Sequence, residues 1–135
     1  MLASLPLPVV IVSAEAGEER SCSTATVTYV SLDPPRVATP LRPGSRTRRL
    51  AEASGAFSIS ILSDRQAELA VHPVADVTGC VAVYRCSVED AAGPLLIGRV
   101  DDAVTNDVSP LIRFRRRYRA LGAELEVAEE ADYPL

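Results

Sequence analysis

Short runs of β-branched apolar residues alternate with polar turns along this chain, and that rhythm predicts strands. Val9-Val10-Ile11-Val12 is the first run, closed by Glu15-Ala16-Gly17-Glu18-Glu19. Residues 21–31 are built almost wholly from Ser, Thr, Val, Ala and Tyr, which suit a pleated surface and predict a second strand. With Gly17 in the turn, the two strands form a hairpin. Asp33-Pro34-Pro35 must end the second strand, because two prolines fix φ twice and remove two donors. Residues 37–41 make a third short strand, limited by Pro40 and Pro43. Phe57, Ile59 and Ile61 alternate with Ser58 and Ser60, the pattern of a half-buried strand. Residues 79–88 and 95–104 give two more, joined by a turn over Glu89-Asp90-Ala91-Ala92-Gly93-Pro94.

Two helical stretches interrupt the strands. Residues 45–54 are the better one: Ser45 can cap, Leu50 and Ala53 mark an apolar face, and Gly55 ends it. A second short helix is expected over residues 65–70, capped by Ser63 or Asp64 and stopped at His72-Pro73. Residues 110–121 are apolar at Leu111, Ile112, Phe114, Tyr118 and Leu121, a spacing that suits a helix or turn as well as a strand. Six short strands with two short helices predict a mostly β chain folded as a small antiparallel barrel. The strand order does not follow from periodicity. At 135 residues the chain is expected to be one domain.

Charge and composition narrow the function. A net charge of −4 and a pI near 5.0 argue against general affinity for nucleic acid. Against that background Arg113, Arg115, Arg116, Arg117 and Arg119 stand out. They read as a solvated face or as partners for the acidic tail or a second subunit, next as ligands for a dinucleotide phosphate, and third, given the acidic total, as a contact for nucleic acid. The domain is expected over residues 1–123, followed by a loosely held acidic tail at 124–135. Cys22, Cys80 and Cys86 have no CxxC spacing, so buried thiols are expected rather than a disulfide framework or a metal site. His72, the single His, sits at a helix stop and reads as a cap or a surface residue. The apolar start lacks a positive leader region and is interrupted by Pro6 and Pro8, and no apolar run is long enough for a membrane span. A reducing cytoplasm is the expected setting.

The candidate chemistry lies in Tyr29-Val30-Ser31-Leu32-Asp33-Pro34-Pro35, followed by Gly44-Ser45-Arg46-Thr47 at a helix start. A strand, a proline turn and a hydroxyl-rich helix start can cradle a small anion. The order of motifs resembles the flavin reductase-like family of FMN-binding split barrels. The opening Leu5-Pro6-Leu7-Pro8-Val9-Val10-Ile11-Val12-Ser13 is similar to the family's F-P-T-G-V-x-V-V-T. Residues 23–31 are similar to T-x-S-S-F-x-S-V-S, and Ser45-Arg46-Thr47 to S-x-T. Phe57-Ser58-Ile59-Ser60-Ile61-Leu62-Ser63 resembles F-A-V-N-V-L-S, Ile97-Gly98-Arg99-Val100 resembles V-G-E-V, and residues 110–118 resemble P-L-L-Y-F-x-x-x-Y.

The resemblance implies a six-stranded antiparallel Greek-key split barrel with short flanking helices, acting as a homodimer. It implies FMN (or FAD) as cofactor, NADH or NADPH as reductant, and a flavin-dependent monooxygenase as a possible partner. By position, Ser23, Thr24, Ala25, Thr26 and Ser31 would line the flavin ring and ribityl chain, and Ser45, Arg46 and Thr47 would hold its phosphate. The family's Gly-Asp-His falls on Ala91-Ala92-Gly93, which carries neither acid nor His. That departure opens a second reading: a barrel kept as a binding or accessory protein, or one acting on another small molecule. No catalytic residue is assigned, since hydride transfer needs no protein acid.

Overall fold

The computed structural model describes residues 1–127. Residues 128–135, most of the expected acidic tail, lie outside the described residues. A 3-10 turn at Leu2–Ser4 precedes β1 (Leu7–Pro8), β2 (Val10–Ala16), β3 (Glu19–Ala25), β4 (Thr28–Leu32) and β5 (Pro35–Pro40). Then come α1 (Arg46–Ser54), β6 (Ala56–Ile61), α2 (Ala67–Val71), β7 (Ala82–Ala92), β8 (Leu95–Thr105), β9 (Leu111–Phe114) and β10 (Arg117–Ala120). No helix among the described residues is long and apolar enough to cross a membrane.

The mostly β, antiparallel barrel expected from the sequence is what the chain forms, with more strands than the six counted. Seven strands pair in the order β3-β2-β6-β7-β8-β5-β4, and a second sheet pairs β1-β9-β10. The expected single strand over residues 21–31 is two. It breaks at Thr26-Val27, and its halves, β3 and β4, lie at opposite edges of the large sheet. A two-residue link between opposite edges forces the sheet to curl until its ends meet, which makes it a barrel with a seam. Thr39 of β5 spans the corner, donating its hydroxyl to the Thr26 carbonyl at 2.8 Å.

Two further turns are tighter than the sequence suggests. β7 runs on to Ala92, so the expected six-residue turn shrinks to Gly93-Pro94. Gly93 has φ +55 and the proline ring fixes the next φ negative, the combination of a two-residue II′ hairpin. Residues 110–121, open between helix and strand, form the β9–β10 hairpin. Its turn residues Arg115 and Arg116 hold φ +51 and +65, with no Gly or Asn to announce them. The second helix starts later than expected, at Ala67. Neither Ser63 nor Asp64 caps it, and Gln66 instead accepts the Ser63 N–H through its own side chain.

β2 is buried on both faces, which is why its sequence is a continuous apolar run rather than an alternation. Val10, Val12 and Ala14 join Phe57, Ile59, Cys86 and Leu96 inside the barrel. Ile11 points the other way, to Val9, Leu62, Ala70 and Leu111. Helix α1 plugs the barrel with Leu50 and Ala51. It starts where the Ser45 hydroxyl accepts the Arg48 N–H at 3.0 Å and ends at Gly55. Inside, the Phe57 ring lies against Gly98: a Cβ there would sit 2.5 Å from the ring, so no larger residue fits unless Phe57 moves.

Candidate functional site

Two concavities open on the described surface. The larger, about 770 Å³, is walled by serines of β2, β6 and β7 together with Arg20, Asp76, Arg85 and Asp101. Most of its charges already have partners. Arg20 donates to both carboxylate oxygens of Asp76 at 3.0 Å and meets Glu15 at 3.3 Å. The hydrogen bond to Asp76, and then the Asp76 charge, raise the Arg20 pKa above the ordinary value. Ser87 donates to Asp101, and Arg85 faces Asp102 at 3.9 Å.

The smaller concavity, about 350 Å³, combines an apolar wall with a few directed polar groups, the usual make-up of a small-molecule site. Leu7, Pro8, Val9 and Pro40 form the apolar part. Thr24, Ala25 and Thr26, three of the eight sequence-predicted positions, come from the end of β3 and the seam. Thr24 donates to the Ala70 carbonyl and Thr26 to the Pro8 carbonyl, both at 2.7 Å. Both hydroxyl oxygens therefore keep only lone pairs to offer. β3 is an edge strand, so its outward N–H and C=O groups are outside any ladder. Arg113 and Tyr118 complete the wall from the far end of the chain. They sit opposite each other in the β9–β10 register, with the Arg113 guanidinium 4.5 Å from the centre of the Tyr118 ring.

The remaining predicted residues lie elsewhere. Ser23 is one residue before Thr24, but its hydroxyl faces α1, where it and Ser21 each meet the Thr47 hydroxyl at 2.8 Å. Thr47 is 1% exposed, so its side chain ties α1 to β3. Ser45 caps α1, and Arg46 is exposed and loosely paired with Glu19 at 3.4 Å. Ser31 lies across the seam on β4 and donates to the Pro34 carbonyl at 2.6 Å. Seven of the eight predicted positions thus form two groups, Thr24, Ala25 and Thr26 at the concavity and Ser23, Ser45, Arg46 and Thr47 at the start of α1, and Ser31 joins neither.

Sequence reasoning passed over Arg48. It is 3% exposed, and its Nη1 donates to the Leu41 and Gly93 carbonyls, each at 2.6 Å. Its Nε donates to Glu52 at 2.9 Å. This side chain fixes the loop before α1 against the β7–β8 turn, where Ala91-Ala92-Gly93 lies. An Arg four residues before a Glu on a helix reads as a surface pair, and only the carbonyls brought by distant loops make it a buried clamp. Placement of Arg113 was also beyond the sequence; its signal was the arginine cluster alone.

The cysteines take no part in the concavity. Burial raises the thiols of Cys22 and Cys80 and pushes Cys86 up to about 12, the nearby Asp101 charge adding a smaller push. They stay protonated at neutral pH and are weak nucleophiles. His72 caps α2, its N–H bonded to the Glu68 carbonyl at 2.8 Å. Among the described residues no group of three or more His, Cys, Asp or Glu is placed to hold a metal ion.

The fold agrees with comparisons to known proteins. The model of the flavin reductase like domain matches residues 2–76. The reductase component of 4-hydroxyphenylacetate 3-monooxygenase from Thermus thermophilus is 30% identical over 138 positions, covering 89% of this chain and 92% of that protein. The styrene monooxygenase flavin reductase from Pseudomonas putida S12 superposes with a TM-score of 0.81 at 26% identity, over 92% of this chain and 96% of that one. The NADH:FAD oxidoreductase of Streptomyces globisporus C-1027, solved with NAD and FAD fragments, shares the fold at a TM-score of 0.82 and 22% identity, covering 93% of this chain and 91% of that one.

Proposed function

Because the chain belongs to the flavin reductase-like family, we propose that it reduces a flavin, FMN or FAD, with NADH or NADPH and supplies it to a partner monooxygenase. The observation that carries this is the Thr24–Thr26 concavity, closed by Arg113 and Tyr118, on the same strand whose Ser21 and Ser23 meet the hydroxyl-rich start of α1. The names of the Thermus and Pseudomonas relatives, both reductases of monooxygenase systems, support it.

The residues present fit a flavin. The wall is apolar, as a flat ring system requires, and no carboxylate lines it. Edge-strand N–H groups of β3 and the Arg113 guanidinium are the donors, and the Thr24 and Thr26 oxygens the acceptors. At α1 the first-turn N–H groups of Arg46 and Thr47 lack an intrahelical acceptor. With the Ser45 hydroxyl proton and the Arg46 guanidinium they would hold a phosphate. Thr47 is 1% exposed and its hydroxyl is committed to Ser21 and Ser23, so Ser45 and Arg46 would be the main contacts there.

The flavin, when bound, supplies the redox chemistry by accepting a hydride from the nicotinamide. The protein's part is to position and shield. Leu7, Pro8 and Pro40 exclude water from one side of the ring. Arg113, held over Tyr118, would orient the anionic part of a ligand. We also propose a homodimer, since the edge strand β4 exposes Tyr29, Val30 and Leu32, an apolar edge that a second copy would cover.

Oxidation of NADH and NADPH with saturating FMN or FAD is the direct test. Turnover together with a flavin absorption spectrum supports the proposal. Neither turnover nor binding overturns it. In Arg46→Ala, FMN should weaken more than riboflavin; equal loss for both removes α1 from the site. A monomer by light scattering at micromolar concentration would refute the dimer. A second reading rests on Ala91-Ala92-Gly93, whose side chains carry no donor, acid or base at the turn beside α1. If that turn matters for rate, flavin binds but turnover is weak next to a relative that keeps Gly-Asp-His.

A further inference from the structure

Arg113 is the only charged side chain in the wall of the small concavity, and among the described residues no carboxylate pairs with it. The same holds for its neighbours at the hairpin turn, Arg115 and Arg116. Among the described residues, a chain of net charge −4 thus gathers three arginines without an ion-pair partner at and beside this concavity. The turn lies two residues beyond Arg113, roughly 7 Å at about 3.3 Å per residue.

The backbone adds a second, independent observation. Arg115 and Arg116 occupy left-handed conformations, φ +51 and +65, where Gly or Asn would sit without strain. The turn is also held from behind, the Arg115 N–H donating to the Ala3 carbonyl at 2.8 Å. Arginine is a poor choice for such a turn on conformational grounds, so its presence points to what its side chain binds. Arg115 leans on the Phe114 ring at 5.1 Å, whereas Arg116 has neither an ion-pair nor a ring partner among the described residues.

We infer that this hairpin selects the phosphorylated nicotinamide. Arg115 and Arg116 at the turn take the adenosine 2′-phosphate, so that NADPH is preferred to NADH. The chemistry is that of guanidinium forks meeting a dianion. Residues 111–120 of the hairpin carry no carboxylate that would repel a phosphate dianion. The inference rests on the nicotinamide-dependent reduction proposed above and names the reductant for that site.

Calorimetry on the intact protein with adenosine 2′,5′-bisphosphate and with 5′-AMP reads the phosphate contribution without turnover. The bisphosphate should bind at least tenfold tighter. The double variant Arg115→Asn/Arg116→Gly suits the turn better than the native pair, so its melting temperature should not fall. It should abolish the tenfold difference and bring the ratio of kcat/KM for NADPH to that for NADH close to one. Equal affinity for the two nucleotides in the native protein, or a tenfold difference that survives in the variant, overturns the inference. If the bisphosphate binds tightly and neither nicotinamide is oxidised, the reductase reading fails while the phosphate site stands.

Discussion

Replacing Arg48 by Met tests whether the barrel depends on one buried cation. Met roughly keeps the length and apolar stem of the side chain and removes its donors. In the native protein Nη1 holds the Leu41 and Gly93 carbonyls, each at 2.6 Å, on a side chain 4% exposed. Hydrogen bonds to a charged group are worth about 1.5–3 kcal/mol each, so the two carbonyls set a ceiling of about 3–6 kcal/mol. Glu52 adds little, being 43% exposed and able to rehydrate. The variant also regains the desolvation free energy of a buried guanidinium, which offsets part of the loss. A net destabilisation of about 2–4 kcal/mol remains. At about 4 °C per kcal/mol for a domain of this size, the melting temperature should fall by about 8–16 °C. Hydrogen exchange locates the effect, because the Leu41 N–H, bonded to the Pro94 carbonyl at 2.9 Å, should lose protection more than β2 does. Arg48→Lys, which keeps the charge without the fork, should fall between the two. If Arg48→Met unfolds within about 0.5 kcal/mol of the native protein, the clamp contributes nothing and the reasoning is wrong.

Three other outcomes follow from the same coordinates. Gly98→Ala should cost about 1–3 kcal/mol in urea unfolding, because its Cβ would overlap the Phe57 ring, and Phe57→Leu should recover part of it. Thr47→Val should cost about 1–3 kcal/mol by orphaning the Ser21 and Ser23 hydroxyls. Its flavin affinity should not change, and a large loss would mean the Thr47 side chain turns outward to the ligand. Cys86 is raised from 9.0 to about 12, so the folded state holds the thiol proton more tightly than the unfolded chain. Its contribution is present below pH 9 and is lost as pH climbs toward 12. Cys86→Ala should flatten the alkaline fall of the urea midpoint, and an unchanged slope would acquit this thiol.

Where local pattern decides structure, the sequence was legible. The Phe57–Ile61 alternation reads directly as a strand with one face in the core, and Ser45 and Gly55 bracket α1 as caps should. The break between β3 and β4 was hidden because Thr26 and Val27 are as β-prone as their neighbours. Only the curl of the whole sheet makes them a corner. The β9–β10 turn was hidden for the opposite reason, its residues having no turn propensity at all. Of the candidate site, Thr24, Ala25 and Thr26 could be picked out by resemblance, and Arg113 could be flagged by charge. That they share one wall depends on β9 pairing with β1, a contact between the two ends of the chain that no local rule supplies.

The seam between β3 and β4 has a consequence for how a ligand would be felt. Each of these strands has a single ladder partner, so the barrel is shut there by a covalent link and the Thr39 hydroxyl rather than by rungs. The Thr24–Thr26 concavity opens beside that gap. A molecule seated on the bare edge of β3 would act as a stave added to an unfinished cask, supplying hydrogen bonds the sheet itself lacks. Occupancy would then tighten the entire barrel, and the slowest-exchanging amides of β2 and β6, far from any contact with the ligand, would report its arrival.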